Sequence, residues 1–398
     1  MNRPTRIALA SFATFVDGYD IQALGLAVPG MAESMGVAPS AFAGAMTFSL
    51  AGMATGAIGL APLADRLGRI RLIVASLFLI AASGASLALA AAPSQVAGLR
   101  FITGLGMGAL MPLAITLAAE ACDPDRRNLI VTIVASCAAI GSFASGMLAP
   151  LVEAWAGWQG IFLLGAGLPI VLTAAFFPGW SEPRPQQGRQ SASRPVRLPV
   201  VGLFQKHLRK RTVLVWIIFF GSLFATYCLI SWLPALLDKA GWPRADAQRA
   251  AGVMAAGSLA GGLTLAWLAD KGHAAAGLTA GLLVAAIALL AIGANPATKL
   301  EWFALLFLVG AGAIGSQMAL GAIAAGLYPV ELRAAGLGWS SGMGRAGSLL
   351  GPSAVVALIA GGFPSATIVA ALSVPMIVCA GCAWALAPSI KQASSMDP

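Results

Sequence analysis

The sequence predicts an all-α membrane protein with twelve transmembrane helices in two pseudo-symmetric bundles of six. Three observations carry this. Of 398 residues, 59% are hydrophobic and only 10% are charged, whereas an ordinary soluble domain carries about 25% charged residues. The apolar residues gather in runs of about twenty, the length that crosses a hydrocarbon core as a helix. Landmarks of the first half recur in the second at a nearly constant offset.

A water-soluble fold of this composition would expose large apolar patches, which soluble proteins avoid. Lipid removes that conflict. The net charge of +9 does not point to nucleic acid, because the basic residues sit in short segments between apolar runs and form no stripe. Twelve runs are expected to span: 7–30, 41–64, 71–92, 95–120, 128–152, 159–179, 212–237, 247–269, 274–293, 300–327, 334–360 and 364–387. Helices are expected, since open strands leave backbone groups unsatisfied in lipid. The first run is too long for the apolar core of a cleaved signal and is followed by further spans. The five cysteines show no metal-type spacing with histidines and read as small apolar fillers.

Orientation follows from the positive-inside rule. With the N-terminus inside, the cytoplasmic segments hold Arg3, Arg6, Arg66, Arg69, Arg71, Arg126, Arg127, Lys271, Arg333, Lys391 and the basic residues of the central loop. The outer segments hold only Lys239, Arg244, Arg249 and Lys299. Both termini are therefore expected in the cytoplasm, in a multi-pass inner-membrane protein. The Pro-, Ser- and Arg-rich stretch 180–211 reads as a cytoplasmic linker between an N-terminal bundle, 1–179, and a C-terminal bundle with a short tail, 212–398. Trp155, Trp158, Trp180 and Trp242 lie near span ends and read as membrane-interface residues.

The repeat is specific. Pro29 and Gly36 match Pro234 and Gly241, and Leu63-Ala64-Asp65 matches Leu268-Ala269-Asp270. Gly141-Ser142 matches Gly347-Ser348, and Arg127 matches Arg333. Six spans per copy give both copies the same orientation. Parallel six-span repeats resemble the architecture of the major facilitator superfamily, which places its substrate site between the halves near the midplane.

The loop after the second span reads Gly59-Leu-Ala-Pro-Leu-Ala-Asp65-Arg66-Leu67-Gly68-Arg69-Ile70-Arg71. It resembles that superfamily's inner-loop signature and departs from it at Pro62 and Ile70. Gly68 suits a short turn, Asp65 can clamp the N-terminus of a neighbouring helix, and Arg69 can pair with a carboxylate on another span. Glu120, Arg127, Asp270, Glu331 and Arg333 end other spans and are candidates for the same cytoplasmic gate. Ion pairs there would form in one conformation and break in another; solvated loop charges are the competing reading.

The first span contains Asp17-Gly18-Tyr19-Asp20 inside an apolar helix. At i and i+3 the two carboxylates share a face. Charges at membrane depth are costly and must face the bundle interior or a wet cavity. Two such groups in low dielectric do not ionise together easily, so the pair is the candidate for proton coupling. Arg345 lies about halfway along the eleventh span, where a guanidinium needs a partner. Its planar fork suits a carboxylate held at two points. An anionic substrate would supply that partner, with Asp17 or Asp20 doing so in its absence; a permanent interhelical ion pair is the competing reading.

Asp-Gly-Tyr-Asp in the first span resembles the signature of the aromatic acid:proton symporters of the same superfamily. So do Arg100-Phe-Ile-Thr103-Gly104-Leu-Gly106-Met-Gly108 in the fourth span and Tyr328-Pro329-Val-Glu331-Leu-Arg333 with Gly344-Arg345-Ala-Gly347-Ser348 around the eleventh. The resemblance implies import of a small aromatic carboxylate together with protons, by alternating access. It also implies that Arg100 takes part in proton transfer, against the alternative that Arg100 reaches the outer interface. Tyr227, Trp232, Gln317 and Trp339 are candidates to line the substrate cavity, with interhelical packing as the competing reading. Protons are the expected coupling ion, no cofactor or metal is expected, and the partners are a small organic anion and the lipid bilayer. The chain is expected to work as a monomer. A proton-driven exporter of drugs or other amphipathic compounds is the alternative. An enzyme is not expected, because no nucleophile–base pair or metal set stands in the sequence.

Overall fold

The computed structural model describes residues 3–123, 127–176, 200–206 and 208–394. The side chains of Asp65 and Glu331 lie outside the described residues, as do 180–199 and 207 of the expected linker.

The described chain is helical nearly throughout. α1 is Arg3–Met35. α2, Ala43–Thr55, runs through a π turn at Gly56–Leu60 and a 3-10 turn at Ala61–Leu63 into the short α3, Ala64–Leu67. Pro62 has no amide proton to continue the α ladder, which accounts for the change of helix type there. Gly68, with φ of 93°, then turns the chain into α4, Arg69–Leu87, as the inner-loop motif led one to expect. α5 is Pro93–Ala121, with Pro93 in its first turn where a missing donor costs nothing. α6, Arg127–Phe176, joins the expected fifth and sixth spans in one element broken at Gly157, whose φ of 65° suits a residue without a Cβ.

α7, Val200–Leu203, precedes α8, Arg209–Lys239, and α9, Arg244–Asp270. α10 is Ala274–Gly293. α11, Lys299–Val309, opens on a capping box between Thr298 and Glu301 and passes through a π turn, Gly310–Ile314, into α12, Gly315–Gly326. α13 is Val330–Ala360, and α14, Ser365–Ala371, and α15, Ser373–Ser394, close the chain. Among the described residues, ten elements are long and apolar enough to cross a membrane. One of the ten, Leu129–Ala174, contains the break at Gly157. α1, with two aspartates and a glutamine in its middle, is not among them.

Large apolar side chains stand outside these helices: Ile58, Leu89, Trp155, Leu300 and Trp384 are each more than 70% exposed. Burial of such surface in water would be worth about 25 cal/mol per Å², and lipid makes its exposure free. Trp155 fits an interface residue. Trp158 does not, because it is buried and donates its indole N–H to the Ser34 hydroxyl at 2.9 Å.

The chain divides into two compact units. The first comprises Met1–Gln190 with Leu233–Gly252, and the second comprises Ser191–Trp232 with Val253–Pro398. Each has seams where helices meet backbone to backbone. In the first unit, a Cβ added at Gly141 would strike the Phe15 carbonyl. One at Gly52 would strike the Phe101 carbonyl, one at Gly56 that of Leu105, and one at Gly104 that of Ser49. In the second unit, Gly347 meets Phe220, Gly257 meets Phe307, Gly261 meets Ala311 and Gly310 meets Met254 in the same way. Every pair in one unit maps onto a pair in the other at the offset of the sequence repeat. Small residues let helices approach closely where apolar side chains gain nothing over lipid, and the repeat preserves those contacts.

Candidate functional site

The site of the first unit is built on α1, which is almost wholly buried between Val16 and Ala32. Its seat is set by α6. Gly18 lies so close to α6 that a Cβ would overlap the Ala138 backbone, and the Gly18 carbonyl accepts a hydrogen bond from Ser142 Oγ at 2.7 Å. Thr14 Oγ1 donates to the Val134 carbonyl at 2.6 Å, and the Tyr19 hydroxyl donates to the Ile161 carbonyl at 3.0 Å. The missing side chain of Gly18 thus admits a neighbouring helix.

With α1 held in this way, Asp20 meets Arg100 of α5. Arg100 Nη1 donates to Asp20 Oδ2 at 2.8 Å, and Nη2 donates to Ser49 Oγ of α2 at 3.0 Å and to the Asp20 carbonyl at 3.4 Å. The ion pair is sealed, with side-chain exposures of 2% and 5%. Ser49 and Asp17 are also buried, at 6% and 4%. Arg100 therefore does not reach the outer interface, which the sequence had left open. A buried pair of this kind is weak evidence for stability, since well-packed apolar residues of similar volume often serve as well. The second unit contains that comparison. Through the glycine seams, Asp20, Ser49 and Arg100 map onto Ala225, Met254 and Leu306, all three buried and apolar. There the matching seam closes around apolar side chains.

In the second unit Arg345 is half-buried on α13. Among the described residues of that unit, no carboxylate lies within ion-pair distance of it. Asp20, one of the two carboxylates expected to answer Arg345, is engaged by Arg100. Gln317 Nε2 donates to Thr226 Oγ1 at 2.6 Å. Trp339 is 39% exposed and stacks on Trp216 with centroids 6.1 Å apart. Tyr227 is half-buried on α8. Trp232 is fully buried and gives its indole N–H to the Pro352 carbonyl at 3.0 Å, which is a helix-packing role.

Of the expected gate residues, Arg69 and Glu120 form an ion pair. Arg127, Asp270 and Arg333 are exposed, and the side chains of Asp65 and Glu331 lie outside the described residues. Sequence reasoning missed a cluster at the other end of the first unit. Arg244 binds Glu33 at 2.7 Å and Glu153 at 3.2 Å, with Asp238 at 3.9 Å. Gln248 donates to Glu153 and, at 3.2 Å, to the Leu26 carbonyl. The signal was present: Glu33 and Glu153 are isolated acids at the ends of apolar runs. Ser49 carried no signal, because one serine in a small-residue helix is ordinary.

Two units on one repeat and helices of membrane-spanning length describe a polytopic membrane protein. The chain belongs to the Major Facilitator Superfamily, whose sequence profile matches residues 10–352. It is 30% identical to the gallate transporter of Pseudomonas putida over 382 residues, covering 87% of this chain and 83% of that protein. It is 32% identical to the 4-hydroxybenzoate transporter PcaK of Acinetobacter baylyi, covering 93% and 88%. The crystal structure of a D-xylose-proton symporter shares the fold, with a TM-score of 0.70 at 16% identity, covering 96% of this chain and 97% of that one. The expected all-α major facilitator fold and the expected resemblance to aromatic acid transporters both stand.

Proposed function

We propose that this protein imports a small aromatic carboxylate together with protons by alternating access. The observation that carries the proposal is the buried Asp20–Arg100 pair, placed where the second bundle has Ala225 and Leu306. A charge that the fold does not need, held at the cost of desolvation, is retained for what it does. Relatives named for gallate and 4-hydroxybenzoate supply the substrate class. They give no support to the exporter reading.

In this reading Asp20 and Asp17 accept the proton. Protonation removes the charge that holds Arg100, and the released guanidinium biases the bundle toward its other conformation. Arg345, which among the described residues of its own unit has no carboxylate within ion-pair distance, holds the carboxylate of the substrate at two points. Gln317, Tyr227 and Trp339 contribute polar and aromatic surface around the ring; Trp232, committed to Pro352, does not. Arg69 with Glu120 latches the cytoplasmic side, together with Asp65, Arg127, Asp270, Glu331 and Arg333. Twelve spans, both termini in the cytoplasm, an inner-membrane location, a functional monomer and no cofactor beyond the proton complete the proposal.

The test is uptake of radiolabelled 4-hydroxybenzoate or gallate into proteoliposomes with an acid exterior. Accumulation above equilibrium is expected, with collapse on adding a protonophore; uptake indifferent to the protonophore would refute proton coupling. Asp20→Asn and Asp17→Asn should each reduce accumulation to equilibration, a loss of at least about 100-fold in proton-driven rate, with a flat pH profile. Arg345→Lys loses the planar fork and should raise KM about tenfold or more. An unchanged KM in that variant removes Arg345 from the substrate site.

A further inference from the structure

We infer that Ser49 is a positioning residue that sets the pH at which the Asp20–Arg100 pair opens; this rests on the proton-coupled reading above. Ser49 Oγ accepts from Arg100 Nη2 at 3.0 Å while Nη1 of the same guanidinium holds Asp20 Oδ2 at 2.8 Å. All three side chains are buried. The hydroxyl is not there to pack α2 against α5. The backbones already touch through Gly52, Gly56 and Gly104, and the Gly104 contact is with the Ser49 carbonyl itself. The same contact in the second unit, between Gly310 and residue 254, is made with methionine, beside Leu306 and Ala225. At this position of the seam the bundle that has an arginine to bind carries serine, and the other carries methionine.

Its effect has a definite sign. With Asp20 ionised, Arg100 is compensated by the carboxylate and Ser49 is a secondary acceptor. With Asp20 protonated, Arg100 is a buried cation whose remaining acceptors include Ser49 Oγ and the Asp20 carbonyl, the latter at 3.4 Å. Arg100 Nε is buried and, among the described residues, has no hydrogen-bond partner. The guanidinium has little to spare. Ser49 therefore stabilises the protonated state more than the ionised one, because an acceptor is worth most to a charge that lacks its counter-ion. Removing it makes protonation harder. The other ionisable groups on the elements packed here do not substitute for it. α1 adds Asp17 and Tyr19 nearby and Arg3, Arg6 and Glu33 toward its ends. α2 has none; α5 adds Glu120 near its far end, paired with Arg69 of α4. α6 adds Cys137, exposed Arg127 and Glu153, the last held by Arg244 and Gln248.

The experiment is the pH profile of 4-hydroxybenzoate uptake in proteoliposomes for wild type, Ser49→Ala and Ser49→Thr. In Ser49→Ala the half-maximal pH should move to lower pH by about half to one unit, a three- to tenfold higher proton requirement. Ser49→Thr, which keeps the hydroxyl, should return most of that shift. A Ser49→Ala profile superimposed on the wild type, or a Thr variant as shifted as the Ala variant, overturns the assignment. If Ser49→Ala does not yield folded protein, Ser49→Cys gives the same measurement with a weaker acceptor of similar size. Wild-type uptake without any dependence on the proton gradient sinks the coupling proposal itself. A coupled wild type with an unmoved variant sinks only the role of Ser49.

Discussion

Replacing Asp20, Ser49 and Arg100 together by Ala, Met and Leu is expected to give a folded protein that has lost proton-driven accumulation. These are the residues at the equivalent positions of the second bundle, Ala225, Met254 and Leu306, where they are buried against the same kind of glycine seam. Exchanging a buried ion pair for well-packed apolar side chains is often neutral or stabilising, by about 1–4 kcal/mol. Removing one partner alone is different: it leaves an uncompensated charge and costs about 3–5 kcal/mol. The triple variant should therefore melt at or above the wild-type temperature in detergent, while Asp20→Ala alone melts lower. Uptake should fall to passive equilibration in both. Retained accumulation in the triple variant would remove the trio from the mechanism, and failure of the triple variant to fold would make the trio structural.

Gly18→Ala should produce the largest loss of stability of any single methyl group added to α1. The new Cβ would overlap the Ala138 carbonyl, and backbone cannot rotate aside as a side chain can. α1 and α6 must separate, breaking the Ser142–Gly18 hydrogen bond and loosening Thr14 from Val134. Overpacking costs about 1–3 kcal/mol and more where backbone must shift, so about 3 kcal/mol is expected. Thermal unfolding followed by fluorescence-detected size exclusion reads this directly. Because α1 carries both aspartates, transport should fall with it. Gly36→Ala, on the same helix's exit loop, has open space around its Cβ but a φ of 64°. Its smaller cost, about 1 kcal/mol, is the comparison. Equal effects of the two variants would show that the close contact at Gly18 is not what matters.

Much of the architecture was legible in the sequence, for a physical reason. Lipid imposes a length and a composition on each span, and both are read directly from a chain. The expected boundaries fall within a few residues of α5, α8, α9 and α10. The kink at Gly157 and the π turns at Gly56–Leu60 and Gly310–Ile314 were not legible, because hydrophobicity is indifferent to helix type. The site was legible in part. Asp17 and Asp20 drew attention because charge at membrane depth is expensive, and Arg100 through the family resemblance. Their pairing did not follow, since Asp20 and Arg100 are 80 positions apart and Arg345 competed for the same role. Ser49 and the acids around Arg244 act through contacts that composition cannot disclose. The repeat, first seen as a few matching letters, proved the most informative feature, because it supplies an uncharged copy of the charged site.

The glycine junction between α2 and α5 has a mechanical consequence. Bare main chain resting on bare main chain has no rotamers to shuffle and little compliance. When the carboxyl beside it gains or loses its charge, that foundation cannot yield locally to absorb the change in force. On the proton-coupled reading proposed above, the work would therefore be taken up by displacement of whole helices instead of by rearrangement at the seam.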